Sequence, residues 1–214
     1  MGMMIFRDRE TAGKMLAGRL ADYQGEKDAI VLGIPRGGVV VAAAVAKVLN
    51  LPLDIVVARK LPAPGNPELA IGAVDGEGHV FLREGVVELY RMTPEYLETV
   101  IREQGLEANR REGVYRATRP PLNLAGKTGI IVDDGLATGA TALAAVTAVR
   151  GAGAERVVLA VPVAVPEAAT LLKTEVDDLV ALDMPLDFLA VGQFYESFKQ
   201  VTDEEVIRLL KEIK

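Results

Sequence analysis

Residues Gly129 to Thr141 read GIIVDDGLATGAT, a hydrophobic run that ends in two adjacent carboxylates and continues through a small-residue turn. Asp133 and Asp134 can accept hydrogen bonds from vicinal hydroxyls, and a strand that ends there would deliver them to the crevice where α/β proteins bind ligands. Gly135 and Gly139 let backbone amides converge, and a following helix adds its positive end, a combination that favours phosphate. Thr138 and Thr141 add hydroxyl donors. A phosphate beside two acids predicts a sugar phosphate, with the acids on the ribose hydroxyls and the loop on the 5′-phosphate. The implied chemistry is that of nucleotides. An idle, solvated turn is the competing reading, but two acids directly after a buried run are costly without a task.

Other glycine-loop chemistries fail on residue identity. No G-x-x-x-x-G-K-[ST] occurs, no G-x-G-x-x-G follows a strand, and Gly151-Ala152-Gly153 reads as a helix C-terminal turn. The chain has no cysteine, which excludes disulfides, zinc–thiolate sites and thiol nucleophiles, and its one histidine, His79, argues against a Ser-His-Asp triad or a multi-histidine metal site. His79 reads as a hairpin side chain. A net charge of −6 and a pI of about 5.0 argue against a nucleic-acid or membrane-surface partner, so any anion must be gripped locally.

The elements that must position these groups follow from hydrophobic rhythm. Half of the 214 residues are hydrophobic, a quarter are charged and mean hydropathy is +0.24, a composition that folds. β-Branched runs followed by glycine turns and alanine-rich segments predict an α/β protein with a mostly parallel twisted sheet flanked by helices. Strands are expected over Ala29–Ile34, Leu53–Ala58, Gly129–Val132 and Arg156–Val161, with an apolar helix over Gly37–Leu49. LPAPGNPEL carries three prolines and a glycine and reads as a loop spanning Leu61 to Leu69. Ile71–Val74 and His79–Leu82, joined by Asp75-Gly76-Glu77-Gly78, read as a hairpin.

Thr93 before Pro94 starts a long helix with a narrow inward stripe of Leu97, Ile101 and Ala108, and Arg102, Glu103, Glu107, Arg110, Arg111 and Glu112 are expected to stay solvated. It reads as an insertion over about 93–117, or an oligomer element. Thr202 caps a last amphipathic helix. The chain is read as one domain over 1–214. Its longest charge-free stretch, the fifteen residues Gly135 to Val149, is too short for a membrane span. The N-terminus, MGMMIFRDRE, lacks a secretory apolar core, so a cytoplasmic location is expected.

VDDGLATGAT resembles the phosphoribosyl pyrophosphate (PRPP) loop of the type I phosphoribosyltransferases. The resemblance implies that Asp133 and Asp134 hold the ribose hydroxyls and that Ala137, Thr138, Gly139, Ala140 and Thr141 wrap the 5′-phosphate. Gly33-Ile34-Pro35-Arg36-Gly37-Gly38 is similar to that family's pyrophosphate loop, so Arg36 and the Gly37 and Gly38 amides are expected at pyrophosphate. Arg59 and Lys60 look like its basic pair, and the loop beyond like its mobile lid. These motifs span roughly residues 29 to 165 and imply a core over about 28–182, with a hood from about 1–27 and 183–214.

In hypoxanthine–guanine members an acid stands three residues after the second carboxylate, whereas Ala137 stands here, so the loop is closer to the adenine type. Glu68, in Pro67-Glu68-Leu69, resembles the lid acid of adenine enzymes. Phe188, Phe194 and Tyr195 are candidates for stacking on a base, or else hood packing. Glu196 resembles an acid near the metal of some purine members, or else is a surface residue.

The resemblance implies a Mg²⁺-dependent transferase that moves 5-phosphoribosyl from PRPP to a nitrogenous base in nucleotide salvage or related metabolism, working as a homodimer. Mg²⁺ would be held mainly through PRPP, with Asp133 and Asp134 as protein ligands. A PRPP- or nucleotide-binding regulator without catalysis, and an enzyme using ribose 5-phosphate for another transfer or hydrolysis, remain the alternatives.

Overall fold

The structure, a computed structural model, describes residues 4–116 and 122–213, with the side chains of Pro67, Glu68 and Glu84 outside the description. Five parallel strands, β1 (Ala29–Gly33), β2 (Leu53–Ile55), β6 (Thr128–Val132), β7 (Arg156–Val163) and β8 (Asp178–Asp183), stand in the order β2-β1-β6-β7-β8. Their residues alternate between two apolar layers. Val31, Ile130, Val132 and Val158 face a layer completed by helices α1 (Arg9–Arg19), α2 (Gly37–Leu49) and α7 (Asp203–Glu212). Leu32, Ile131, Val157 and Leu159 face α5 (Ala140–Gly151) and α6 (Pro166–Leu172). Burial on both faces explains why these strands read as continuous hydrophobic runs. Strand β8 escapes the sequence reading because it lies at the edge, is only half-buried and begins and ends in aspartate.

From β1 the chain crosses to β2 on one side and later returns to β6 on the other, so the strand order reverses between β1 and β6. A crevice opens outside the carboxyl ends of strands at such a reversal. Those ends carry Ile34-Pro35-Arg36-Gly37-Gly38 and Asp133-Asp134. The two motifs therefore meet across register-paired neighbours, Gly33 opposite Val132.

The expected strand Leu53–Ala58 is split. Only Leu53–Ile55 pairs with β1, and β3 (Ala58–Ala63) belongs to a second, antiparallel sheet, β3-β4-β5, with β4 (Asn66–Asp75) and β5 (Val80–Leu82). Arg59 and Lys60 thus open this sheet rather than close the parallel one. The expected loop Leu61 to Leu69 is mostly paired strand. Pro62 is tolerated where the register shifts on either side of it, and Gly65, at φ +71°, makes the turn. The hairpin from β4 to β5 forms, but with Val74 opposite Val80, so that the second strand starts at Val80 and His79 falls in the turn, with Gly78 at φ +90°.

Helix α3 (Glu84–Leu89) precedes the long helix α4 (Pro94–Arg116), whose Val100 packs with Leu61, Ile71 and Val74 of the small sheet. Ala108 is buried and Leu97 and Ile101 are half-buried, as the inward stripe requires. Glu112 departs from the solvated face assigned to it. It is half-buried and pairs with Arg116 at 3.3 Å, and Arg116 pairs in turn with Asp54 at 2.7 Å.

Dehydration outweighs the Arg116 charge and, with Glu77, Asp75 and Asp54 nearby, pushes the Glu112 pKa up from 4.5 to about 7. Between those values the folded chain binds more protons than the unfolded one, so this group's contribution to stability falls as pH rises. The measured check is urea unfolding at about pH 5 and about pH 8. Glu112→Gln should flatten the decline seen in wild type, and an unchanged slope would refute the assignment.

Candidate active site

The acid pair is clamped from three directions. The Oδ1 atom of Asp133 accepts from the Asp134 amide at 2.8 Å. Oδ2 of Asp134 accepts from Nε of Arg9 at 2.8 Å, and the backbone carbonyl of Asp134 accepts from the Tyr195 hydroxyl at 2.6 Å. One oxygen of each acid is thereby committed. The two side chains also bond each other, one of the causes that raise the Asp133 pKa. Dehydration by surrounding protein, then the Asp134 carboxylate, push the Asp133 pKa well up, with Arg9 opposing.

Gly37 and Gly38 touch this pair directly. A Cβ on Gly37 would lie 2.0 Å from Asp134 Oδ2, and one on Gly38 would lie 2.7 Å from the Val132 carbonyl and 2.8 Å from the Asp133 Cα. The sequence suggests these glycines as bare amide donors. The structure adds that no side chain fits between the loop and the acids. They also begin α2, so its positive end faces Asp134 and any anion bound beside it. The Pro35–Arg36 peptide is cis.

Gly139 caps α5 at φ +79°, with the helix starting at Ala140. Ala137, Thr138 and Thr141 are exposed, Ala140 is half-buried, and Thr138 Oγ1 accepts from the Ala140 amide at 3.4 Å. A cleft of ≈ 300 Å³ is lined by Ile34, Pro35, Val56, Val57, Ala58, Arg59, Lys60, Arg111, Thr138, Ala140 and Thr141. Residues from the two glycine loops, the basic pair and α4 thus converge on one cavity. Arg59 is aimed by α4, since its Nε donates to Gln104 Oε1 at 3.1 Å.

Three residue assignments change in the light of this geometry. Phe194 is fully buried and Tyr195 nearly so, in a cluster with Phe6, Ala12 and Val163. Phe188 lies 4.9 Å from Phe194, ring centroid to centroid, and packs on the same cluster. The enclosed rings of Phe194 and Tyr195 offer no stacking face, and Tyr195 instead props the Asp134 carbonyl. Glu68 falls on β4, its side chain outside the described residues. Glu196 is exposed, and its amide donates to the Phe6 carbonyl. His79 is exposed and bonded to Asp75 in the hairpin turn.

Arg9 is absent from the sequence reading, and Arg111 enters it only on the solvated face of the long helix. Arg9 begins α1, lies flat over the Phe198 ring at 3.8 Å and donates from Nη1 to the Lys199 carbonyl at 2.8 Å. No spacing rule links it to an acid 125 residues away. Arg111 sits on a helix whose charge pattern reads as solvated, and only the packing of α4 against β3 brings it to the cleft.

Among the described residues no group of three or more His, Cys, Asp or Glu is arranged to hold a metal. The adjacent Asp133 and Asp134 carboxylates nevertheless suit Mg²⁺, a hard ion that takes oxygen ligands, keeps several waters and needs few protein ligands. No described helix is long and apolar enough to cross a membrane.

Comparison with known proteins gives the same fold and loops a lineage. Two curated proteins of Mycobacterium tuberculosis whose names carry the words phosphoribosyl transferase, MT0597 from strain CDC 1551 / Oshkosh and Rv0571c from strain H37Rv, are each 45% identical over 208 residues. That alignment takes in 97% of this chain and 47% of theirs, so the chain spans about half the length of the curated relatives it matches. The crystal structure of TT1426 from Thermus thermophilus is 46% identical and superposes with a TM-score of 0.92 over 98% of this chain and 99% of that one. The family described as phosphoribosyl transferase domain matches residues 7–194, a span that contains both glycine loops and the acid pair, and the chain belongs to that family.

Proposed function

We propose that this chain transfers 5-phosphoribosyl from Mg²⁺-PRPP to a nitrogenous base and releases pyrophosphate, in nucleotide salvage or related metabolism. The observation that supports this reading is the convergence of Thr138, Ala140, Thr141, Pro35 and the Arg59–Lys60 pair on one cleft, with the Asp133–Asp134 pair held against Gly37 and Gly38 of the loop that follows Pro35. The 5′-phosphate sits at the α5 N-terminus against Thr138, Gly139, Ala140 and Thr141, with Ala137 at the loop's outer edge. The Asp133 and Asp134 carboxylates receive the ribose 2′- and 3′-hydroxyls. Pyrophosphate faces the Gly37 and Gly38 amides, Arg36, Arg59 and Lys60.

The C1′–O bond to pyrophosphate breaks with its electron pair leaving on oxygen, and the lone pair of the base nitrogen forms the new C1′–N bond with inversion. The proton on that nitrogen passes to solvent. Positive charge grows on the ribose ring beside the acid pair while negative charge grows at the basic pair and the α2 amides. Stabilisation is therefore preorganised electrostatics, and no protein nucleophile is required. Mg²⁺, held through PRPP and the acid pair, supplies further neutralisation of the leaving group. Gln104 holds the Arg59 guanidinium ready.

The β3–β4 hairpin takes the place assigned to a lid. Its paired strands and proline-rich tip make it a stiff flap, which excludes water by position more than by ordering a loose segment. A cytoplasmic homodimer acting without nucleic acid or membrane is part of this proposal.

Incubation with Mg²⁺-PRPP and a panel of purines, pyrimidines and amides, following pyrophosphate, tests the reading. Base-dependent release supports it. Release without a base means hydrolysis, and saturable PRPP binding without release means a sensor; either overturns it.

A further inference from the structure

A second cavity, of ≈ 380 Å³, lies on the other side of the Pro35–Arg36 turn and is lined by Pro35, Arg36, Arg110, Arg111, Val114, Tyr115 and Asp203. Three guanidiniums face one carboxylate there, in a chain whose net charge is −6. The cavity has three walls: Arg36 at the start of α2, Asp203 at the start of α7, and α4, where Arg111 and Tyr115 lie one turn apart on the same side of the helix.

Internal carboxylates already show what these donors hold. Glu107 is gripped by both neighbours, with Arg110 Nε at 2.9 Å, Arg110 Nη2 at 3.0 Å and Arg111 Nε at 2.8 Å. Asp203 accepts from the Tyr115 hydroxyl at 2.6 Å and stands 3.8 Å from Arg36 Nη1. These contacts leave Arg110 Nη1, both terminal nitrogens of Arg111 and Arg36 Nη2 without a hydrogen bond among the described residues. Guanidinium forks of this kind match the paired oxygens of a phosphate. Apolar lining is slight, with Val114 and Pro35 alone, so the cavity suits a small, fully polar anion rather than a base or an acyl chain.

We propose that this cavity is a second oxyanion site, adjoining the pyrophosphate end of the donor cleft, which takes inorganic phosphate through Arg110 and Arg111, with Arg36 standing between the two sites. Arg111 and Pro35 line both cavities, so the two sites share a wall and a cation. Phosphate in the second site draws on Arg111 and sets negative charge beside the pyrophosphate end of the donor cleft. Filling it therefore weakens PRPP, and by reciprocity PRPP weakens phosphate. The coupling rests on the functional reading above; the phosphate site does not.

Arg110 separates the two, because it lines the second cavity and not the donor cleft, and its exposed side chain makes the variant safe to fold. The experiment titrates labelled orthophosphate into wild type, Arg110→Ala and Arg110→Glu at constant ionic strength, and measures the KM for PRPP with and without phosphate. Wild type should bind a phosphate that Arg110→Ala weakens roughly tenfold and Arg110→Glu removes, since each loses a charge-assisted contact. Phosphate should raise the wild-type KM for PRPP roughly fivefold or more beyond any effect in Arg110→Ala, while both keep the same kcat/KM without phosphate.

Phosphate binding unaltered in both variants overturns the proposal, as does wild type that binds none. Loss of phosphate-free kcat/KM in Arg110→Ala would also overturn it, by making this cavity part of the donor site. Arg110-dependent phosphate binding in a protein that never turns PRPP over sustains the site and defeats only the transferase reading.

Discussion

Asp134→Asn is expected to lower kcat/KM for PRPP by roughly a hundredfold, the upper end of what losing one charged hydrogen bond of about 1.5–3 kcal/mol brings. The fold should survive, because the amide oxygen still accepts from Arg9 Nε and the Tyr195 hydroxyl bonds the backbone carbonyl, which the substitution leaves in place. What disappears is negative charge beside the ribose ring at the moment it turns cationic. The loss should therefore fall on kcat more than on KM. Asp133 adds a second signature, because the neighbouring carboxylate is one of the causes that push its pKa up. In Asp134→Asn that contribution vanishes and Asp133 should ionise at lower pH. Steady-state kinetics of pyrophosphate release supply the check. Near wild-type turnover would remove the acid pair from the chemistry.

Arg9→Met should be the most damaging change outside the loops. The guanidinium is nearly buried, with a side-chain exposure of 10% against 16% for Asp134, and it is stacked on Phe198. Methionine fills much of that volume but leaves Asp134 facing Asp133 without a counter-charge. Breaking a buried pair in this way costs about 3–5 kcal/mol, more than the few tenths expected of a surface arginine. Arg9 also helps Asp133 to ionise, so its loss should raise the Asp133 pKa further. If Asp133 must be ionised for turnover, the acidic limb of the kcat/KM profile should move to higher pH.

The sign for stability follows from the same shift. An acid whose folded pKa lies above its unfolded value destabilises the fold as pH rises, so the variant's deficit should widen towards alkaline pH and narrow in acid. Denaturant unfolding across that range, beside the pH–rate profile, checks both halves. Arg9→Lys, which keeps the charge and loses the fork, should restore part of the stability. A Met variant whose acidic limb stays in place would leave Arg9 a purely structural residue.

The segments legible in the sequence are those whose task is met within a few consecutive residues. GIIVDDGLATGAT encodes strand, acids, turn and helix start in order, because continuous β-branched burial, positive φ at Gly139 and small residues at a helix N-terminus are local requirements. The Gly37–Gly38 turn and the hairpin around Asp75–Gly78 are legible for the same reason. LPAPGNPEL misleads because proline was weighed against strand in general. A register shift frees Pro62 from its ladder duty, and that shift exists only once β3 has found β4. Phe194 and Tyr195 carry the composition of a stacking platform, yet Phe6 and Ala12 from the far end of the chain close over them.

Amino-acid order alone determined the α/β class, the Gly139 turn into a helix and the two carboxylates before it, since each is written in spacing along one stretch of backbone. Tertiary structure alone decided that Arg9 neutralises Asp134, that Gly37 and Gly38 must be bare to touch the acids, and that α4 brings Arg111 to two cavities at once. Local spacing fixes which backbone shapes are cheap. Which distant charges end up face to face depends on how the layers pack, and the burial of apolar surface that drives that packing carries no label for the polar groups it brings together.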